Sequence, residues 1–358
     1  MTILFFAKRF YPEIGGVEKH VLEIGKRLVK KGNRVIVVTE LEKNTNNVNY
    51  HSASKSATLA GKVDGIEIYR INPGKNNWFK KFRIWKELWR LKKIILQSDV
   101  IHCHDVFFWY LPFRFLYPAK KVFTTFHGYE GNYIPTKKAI LMHKISEKFS
   151  YGNICIGQFF EKWYGTKPTF ISFGAAEIIG LKKQEIVNKN LIVFLGRLEE
   201  ETGIMEYLKA FRKLSEQHRG LRLEVLGDGS LMNQSKKYTL DNQLSVNFRG
   251  FVANTEPLIN RASFMFVSRY LGMLEAMVNK KFVLSVYNNK IKEDYLKMTP
   301  FSEYISISSN SNEIYNEMNK FLSDEKLRNN NVQKAYDWVK DKTWDNLINV
   351  YLKLWKLN

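Results

Sequence analysis

Residues 191–204 read LIVFLGRLEEETGI, and the order of their chemistry decides the fold. Leu191 to Leu195 form an unbroken apolar run, as expected of a strand buried on both faces. Gly196 and Arg197 end the run, and Thr202-Gly203-Ile204 opens a stretch of helical character. A strand that stops at a glycine and an arginine ahead of a helix reads as the carboxyl edge of a parallel sheet, where such folds bind ligands. An arginine there suits a diphosphate, because its planar fork donates paired hydrogen bonds to phosphate oxygens.

The same alternation extends in both directions. Upstream, strand-like runs fall at Ile3–Ala7, Arg34–Thr39, Ile66–Ile71, Asp99–Cys103, Lys121–Phe126, Asn153–Ile156 and Thr169–Ser172. Downstream they fall at Leu221–Leu226, Val246–Phe248, Ser263–Val267, Lys281–Val286 and Tyr304–Ile307. Helical patterns such as Val17 to Val29 and Trp78 to Leu96 lie between them. Near-continuous apolar strands separated by amphipathic helices predict an α/β chain of two doubly wound, Rossmann-like domains facing each other across a cleft. The 358 residues suffice for two cores, assigned to 1–172 and 173–335. Asn44 to Lys62, rich in Asn, Ser and Ala, reads as a long exposed loop. Ala335 to Leu357 reads as helical and aromatic-rich, and must pack away from the sheet interior.

Charge narrows the partners. The chain carries 56 Lys and Arg against 35 Asp and Glu, a net charge of +21. Residues 1–170 hold +16 of it and the remainder only +5. The first half is therefore expected to meet an anion: a membrane surface, a phosphorylated substrate or a nucleic acid. No zinc-finger spacing, RNP-type aromatic motif or basic zipper supports nucleic acid. Two scattered cysteines, Cys103 and Cys155, suit a reducing cytoplasm better than a disulfide framework. The short apolar run Ile3–Phe6 precedes Lys8 and Arg9, the reverse of a signal peptide, and no run is long enough to span a bilayer.

The first strand is followed by Phe10-Tyr11-Pro12-Glu13-Ile14-Gly15-Gly16-Val17-Glu18. A strand, a glycine pair and then a helix point free backbone N–H groups and a positive helix end toward an anion. Further motifs follow in order: His127-Gly128 after a strand, Gly196-Arg197-Leu198, Gly227-Asp228-Gly229, Phe248-Arg249-Gly250 and Leu274-Glu275-Ala276-Met277. Taken together over nearly the whole chain, these segments resemble family-4 glycosyltransferases of the GT-B fold.

The resemblance implies retaining transfer of a sugar from a nucleotide-sugar, most simply a UDP- or GDP-sugar, to a glycan or lipid-linked acceptor. It implies no cofactor and no metal, in keeping with the lack of an Asp-x-Asp motif. The first domain takes the acceptor, the second the nucleotide, and a final helix, residues 336–358, crosses back to the first. Gly15 and Gly16 line the donor phosphates and acceptor, and His127 approaches the transferred sugar as the catalytic residue. Arg197 binds the diphosphate and Glu275 the ribose hydroxyls, with Gly227 and Gly250 lining the donor and backbone around Phe248 to Phe251 meeting the base. Synthesis of a cell-surface polysaccharide or glycolipid is the expected setting.

Two departures from the family pattern stand out. Thr202 occupies the position of a usual lysine, and the loop Ser268-Arg269-Tyr270-Leu271-Gly272 looks shortened, with Leu271 roughly where the first of two usual glutamates would align. Arg269 is expected to stand in for the missing cation. The alternative is a silent sugar-nucleotide-binding or scaffold protein. His102 and His104 alternate on one strand face but have no evident third metal ligand, and Asp228 reads as a turn residue.

The stretch from Trp78 to Leu96 holds seven Lys and Arg against one Glu. At 100° per residue, Trp78, Phe82, Trp85, Trp89 and Leu96 form one stripe; Ile84, Leu88, Leu91 and Ile95 form another. The aliphatic stripe suits the core. The aromatic one, flanked by Lys81 and Lys92, suits an anionic bilayer surface, which places the protein peripherally on the cytoplasmic face of a membrane.

Overall fold

The computed structural model describes residues 1–12, 15–41, 58–129, 134–177 and 187–356. These divide into two compact units. The first spans Met1–Tyr129, Pro135–Ser172 and the chain from Trp344, and the second is essentially Phe173–Thr343.

The first unit opens with β1 (Thr2–Ala7), α1 (Gly16–Lys30), β2 (Arg34–Glu40), β3 (Thr58–Val63) and β4 (Ile66–Ile71). It continues through α2 (Lys80–Arg90), α3 (Lys92–Gln97), β5 (Val100–His104), α4 (Phe107–Leu116) and β6 (Val122–Phe126). Then come α5 (Lys137–Phe149), β7 (Asn153–Ile156), α6 (Phe159–Tyr164) and β8 (Phe170–Ser172). The strand order is β3-β4-β2-β1-β5-β6-β7-β8, parallel except for β3. β1 and β5 form its switch point, where the order runs outward in both directions. Ile3 to Phe6, Val35 to Val38 and Ile101 are fully covered, as strands between two helical layers must be.

The second unit begins with β9 (Leu191–Leu195), α7 (Ile204–Gln217), β10 (Arg222–Leu226), α8 (Met232–Asp241), β11 (Val246–Gly250) and α9 (Glu256–Arg261). It continues with β12 (Phe264–Phe266), α10 (Tyr270–Val278), β13 (Phe282–Val286), α11 (Lys290–Lys297), β14 (Ser306–Ser308), α12 (Ser311–Ser323) and α13 (Glu325–Val339). All its strands are parallel, in the order β11-β10-β9-β12-β13-β14, with the switch point between β9 and β12. Tyr207 and Phe211 of α7 pack over Phe194, Phe266 and Leu284 in one continuous core.

Three sequence expectations need correction. Residues 58–62 of the expected loop belong to β3, an antiparallel edge strand on β4, while residues 44–57 lie outside the described residues. The helix expected over 78–96 is two helices, α2 and α3, parted at Leu91. The terminal helix is also two. α13 ends at Val339 within the second unit, and α14 (Trp344–Lys356) packs on α1 in the first. Among the described residues no helix is long and apolar enough to cross a membrane.

Candidate functional site

In the second unit the glycine motifs meet at the carboxyl edge of the sheet. Gly196 N–H donates to Leu226 O at 3.1 Å, Leu198 N–H to Asp228 O at 2.9 Å, and Gly227 N–H to Gly250 O at 2.8 Å. Gly227 has φ of 145°, and a Cβ there would lie 1.9 Å from the carbonyl oxygen of Gly196. Both facts exclude a side chain. Gly227→Ala should therefore cost several kcal/mol, shown by a large drop in melting temperature or loss of folded protein. Asp228 accepts from the N–H of Gly229 at 2.7 Å, in keeping with a turn role.

Charged side chains collect beside this edge. Arg197, with a side chain 64% exposed, contacts Glu201 at 2.7 Å, and Arg269 approaches the same carboxylate at 3.6 Å. Thr202 is buried, and its hydroxyl turns back on the carbonyls of Arg197 (2.6 Å) and Glu199 (2.8 Å). The residue that sequence reasoning missed is Lys292 of α11. Its side chain is fully buried, and its Nζ donates to Ser268 O at 2.5 Å, while the Ser268 hydroxyl donates to Thr202 O at 2.9 Å. Burial, then the nearby Arg269 cation, holds its pKa well below the usual lysine value. Its sequence signal was a charge on the apolar face of α11, among Ile291, Tyr295 and Leu296. Glu275 lies half-buried on α10, whose first turn begins only three residues after β12.

In the first unit, four histidines converge behind the carboxyl ends of β1, β5 and β6. His102 and His104 share a face of β5, His127 follows β6, and His20 lies on the buried face of α1. Tyr351 and Trp355, one turn apart on α14, close the cluster. Trp355 Nε1 can only donate, so His102 accepts at Nδ1 (3.0 Å) and, as a neutral ring, donates from Nε2 to Thr125 Oγ1 (2.7 Å). Thr125 meets Tyr351 Oη at 3.0 Å, which meets His20 Nε2 at 2.8 Å. His127 Nε2 pairs with His104 Nδ1 at 2.9 Å, and Asp105, at φ 61°, accepts the backbone N–H of His127 at 2.8 Å.

Burial pushes His102, His104 and His127 well below the ordinary histidine value, and His20 to about 3. All four are neutral at physiological pH, so His127 can serve as a hydrogen-bonding group but not as a cation. Among the described residues no three His, Cys, Asp or Glu side chains are grouped to hold a metal. α1 starts at Gly16, capped by Gly15 with no side-chain hydrogen bond.

The aliphatic stripe of α2 and α3 is buried as expected: Ile84, Leu88, Leu91 and Ile95 all face the core. Trp78, Phe79, Phe82 and Trp89 are exposed, Trp78 by 81%. Lys81 sits over Phe108 at 4.0 Å and Lys92 over Trp89 at 5.3 Å. Trp85 does not belong to the exposed stripe. Its indole N–H donates to Phe108 O at 3.1 Å and its ring stacks on Phe108, because α4 lies alongside α2 and takes that ring. On α4, Phe115 and Leu116 are exposed as well.

Comparison with known proteins follows the division into units. Residues 14–161 match the family model described as Glycosyltransferase Family 4, and residues 179–338 the one described as Glycosyl transferases group 1. No curated protein matches the chain in sequence. Among solved structures, a glycosyltransferase from Rickettsia africae aligns with a TM-score of 0.72 at 16% identity, covering 99% of this chain and 97% of that one. HepE of Anabaena, in complex with UDP and glucose, gives 0.73 at 13% identity, with 98% of each chain covered. A TarM mutant from S. aureus, in complex with fondaparinux, α-GlcNAc-glycerol and UDP, gives 0.71 at 12%, covering 99% of each.

Proposed function

Both halves of the chain match glycosyltransferase families on a GT-B fold, so it is a glycosyltransferase, and we propose that it moves a sugar from a UDP- or GDP-sugar to a glycan or lipid-linked acceptor with retention of configuration. The observation that carries this reading is the stitching of Gly196, Gly227 and Gly250 beside Arg197 and Arg269. Backbone without side chains leaves room for a nucleotide, and the two guanidiniums neutralise its diphosphate. Lys292 supplies the cation that Thr202 cannot. The UDP bound to HepE and TarM supports a uridine nucleotide.

In the transfer, the bond from sugar C1 to the diphosphate oxygen breaks and one from C1 to the acceptor oxygen forms on the same face. The acceptor's proton passes to the leaving phosphate oxygen. Gly15 and Gly16 at the start of α1 line the reacting groups, and His127, held neutral, orients the sugar by a hydrogen bond. The charge that builds on the diphosphate meets the guanidiniums of Arg197 and Arg269, and no metal is needed. Glu275 accepts from the ribose hydroxyls. The exposed aromatics and lysines of α2 hold the enzyme on the cytoplasmic face of an anionic membrane, where it takes part in building a cell-surface polysaccharide or glycolipid.

A panel of UDP-, GDP- and ADP-sugars, scored by the rise in melting temperature, tests the donor assignment. One donor should protect the parent and fail to protect Glu275→Ala, with turnover unchanged by EDTA. Manganese-dependent turnover would remove the metal-free mechanism. Donor protection without turnover on any acceptor would favour the silent-scaffold reading, which draws on the buried, inward-turned Thr202 and the short β12–α10 connection.

A further inference from the structure

Beside the aromatic stripe, α2 borders a cavity of about 270 Å³ lined by Asn72, Gly74, Arg83, Lys86, Glu87 and Arg90. We propose that this cavity is a headgroup site for a membrane phospholipid whose phosphodiester carries a polyol, the phosphatidylglycerol class. The inference rests on the membrane-docking reading above and adds to it a recognised lipid.

The helix sets the arrangement. Arg83, Lys86 and Arg90 are spaced i, i+3, i+7 and share one line along α2, next to the line that carries Phe82 and Trp89. Rings that enter the bilayer interface would thus set the cavity at the depth of the lipid phosphates. Its volume lies below the roughly 300–1,000 Å³ of drug-sized ligand sites, which suits a headgroup rather than a whole lipid.

Three side chains define the ligand's chemistry. Arg83 is committed to the wall: its Nε donates to Pro73 O at 2.8 Å and its Nη2 to Asn77 Oδ1 at 2.9 Å. Lys86 and Arg90 are exposed and supply the charge for a phosphate. Glu87 supplies the selectivity. It is only 7% exposed, and Arg90 holds its Oε1 at 2.5 Å, yet its Oε2 is buried without any hydrogen-bond partner. A buried carboxylate oxygen left unpaired is costly; Oε2 is closed to solvent as it stands, so a ligand hydroxyl would satisfy it once the carboxylate turns toward the opening that Glu87 lines. Lys86, Arg90 and Glu87 together therefore ask for an anion and a hydroxyl in one small group, which a phosphoglycerol headgroup contains.

Vesicle co-sedimentation of the full chain at matched surface charge tests this, comparing phosphatidylglycerol with phosphatidylmethanol. The second lipid carries the same single negative charge but no hydroxyl. The expected result is about tenfold tighter binding to phosphatidylglycerol, the worth of one hydrogen bond to a charged group. Glu87→Gln and the exposed Lys86→Glu should each erase that preference, their melting temperatures reporting whether the fold is kept. Equal binding of the parent to both lipids overturns the headgroup site and leaves the docking reading standing. No binding to any anionic vesicle overturns both. Tight binding of free glycerophosphoglycerol with indifference to vesicles would reassign the cavity to a soluble ligand and overturn the lipid proposal.

Discussion

Acidification should unfold the first unit well before its carboxylates titrate. His20, His102 and His104 are each at most 2% exposed and held neutral by burial, with folded pKa values far below those of the unfolded chain. Above about pH 6.5 both states are neutral at these positions and the histidines cost nothing. Below it the unfolded chain takes up protons that the folded chain refuses, so stability falls as pH falls. At pH 5 each ring costs about 2 kcal/mol and the three together about 6 kcal/mol, against the 5–15 kcal/mol typical of a whole domain. The geometry gives the refusal a local cause. A protonated His102 would set its Nδ1–H against the donor-only indole N–H of Trp355 at 3.0 Å. Urea denaturation between pH 7.5 and 5 should show stability falling at a slope of at least three protons per molecule, since His127 and His143, also held down by burial, add to the three. A flat profile across that range would mean that the rings charge in place and that the neutral cluster is wrong.

The same cluster shows what the sequence could disclose. His102 and His104 were legible as a pair on one face, because strand alternation is a local rule. Their partners were not: His20 and Tyr351 are 331 residues apart, and no periodicity links such positions. The strands were legible because parallel strands buried on both faces are almost purely apolar, as LIVFL is at β9. β3 was missed for the opposite reason: TLAGKV at a sheet edge has neither alternation nor an apolar run. The helix break at Leu91 has no glycine or proline to announce it. Trp85 illustrates the limit of a helical wheel, which assigns angles but does not know that α4 stands at one of them. At the candidate site the glycines and Arg197 were legible as motifs. Lys292 was not, because a lone lysine on an apolar helix face reads as an interruption of the pattern.

Removing cations from the second unit's edge should separate donor binding from stability, with opposite stability effects at two positions. The Arg197 side chain is 64% exposed and its pair with Glu201 is a surface one, so Arg197→Ala should leave the melting temperature within about 2 °C. Donor affinity should nevertheless fall by about 10- to 100-fold, since one hydrogen-bonded charged contact is worth about 1.5–3 kcal/mol. Lys292 is the inverse case. It is buried beside the cations of Arg269 and Arg197, and only the Glu201 carboxylate favours its charge. A lysine whose folded pKa is depressed penalises the fold at every pH below its unfolded value, and raising the pH toward that value relieves the penalty. Lys292→Met keeps the stem's bulk and removes that penalty, so the variant should be as stable as the parent or more so at pH 7. It should still lose about tenfold or more in donor affinity, because Thr202 has its hydroxyl turned to the backbone and cannot replace the ammonium. Should Lys292→Met lower the melting temperature steeply while the surviving folded protein binds donor like the parent, Lys292 is a structural tie to Ser268 and no part of the phosphate site.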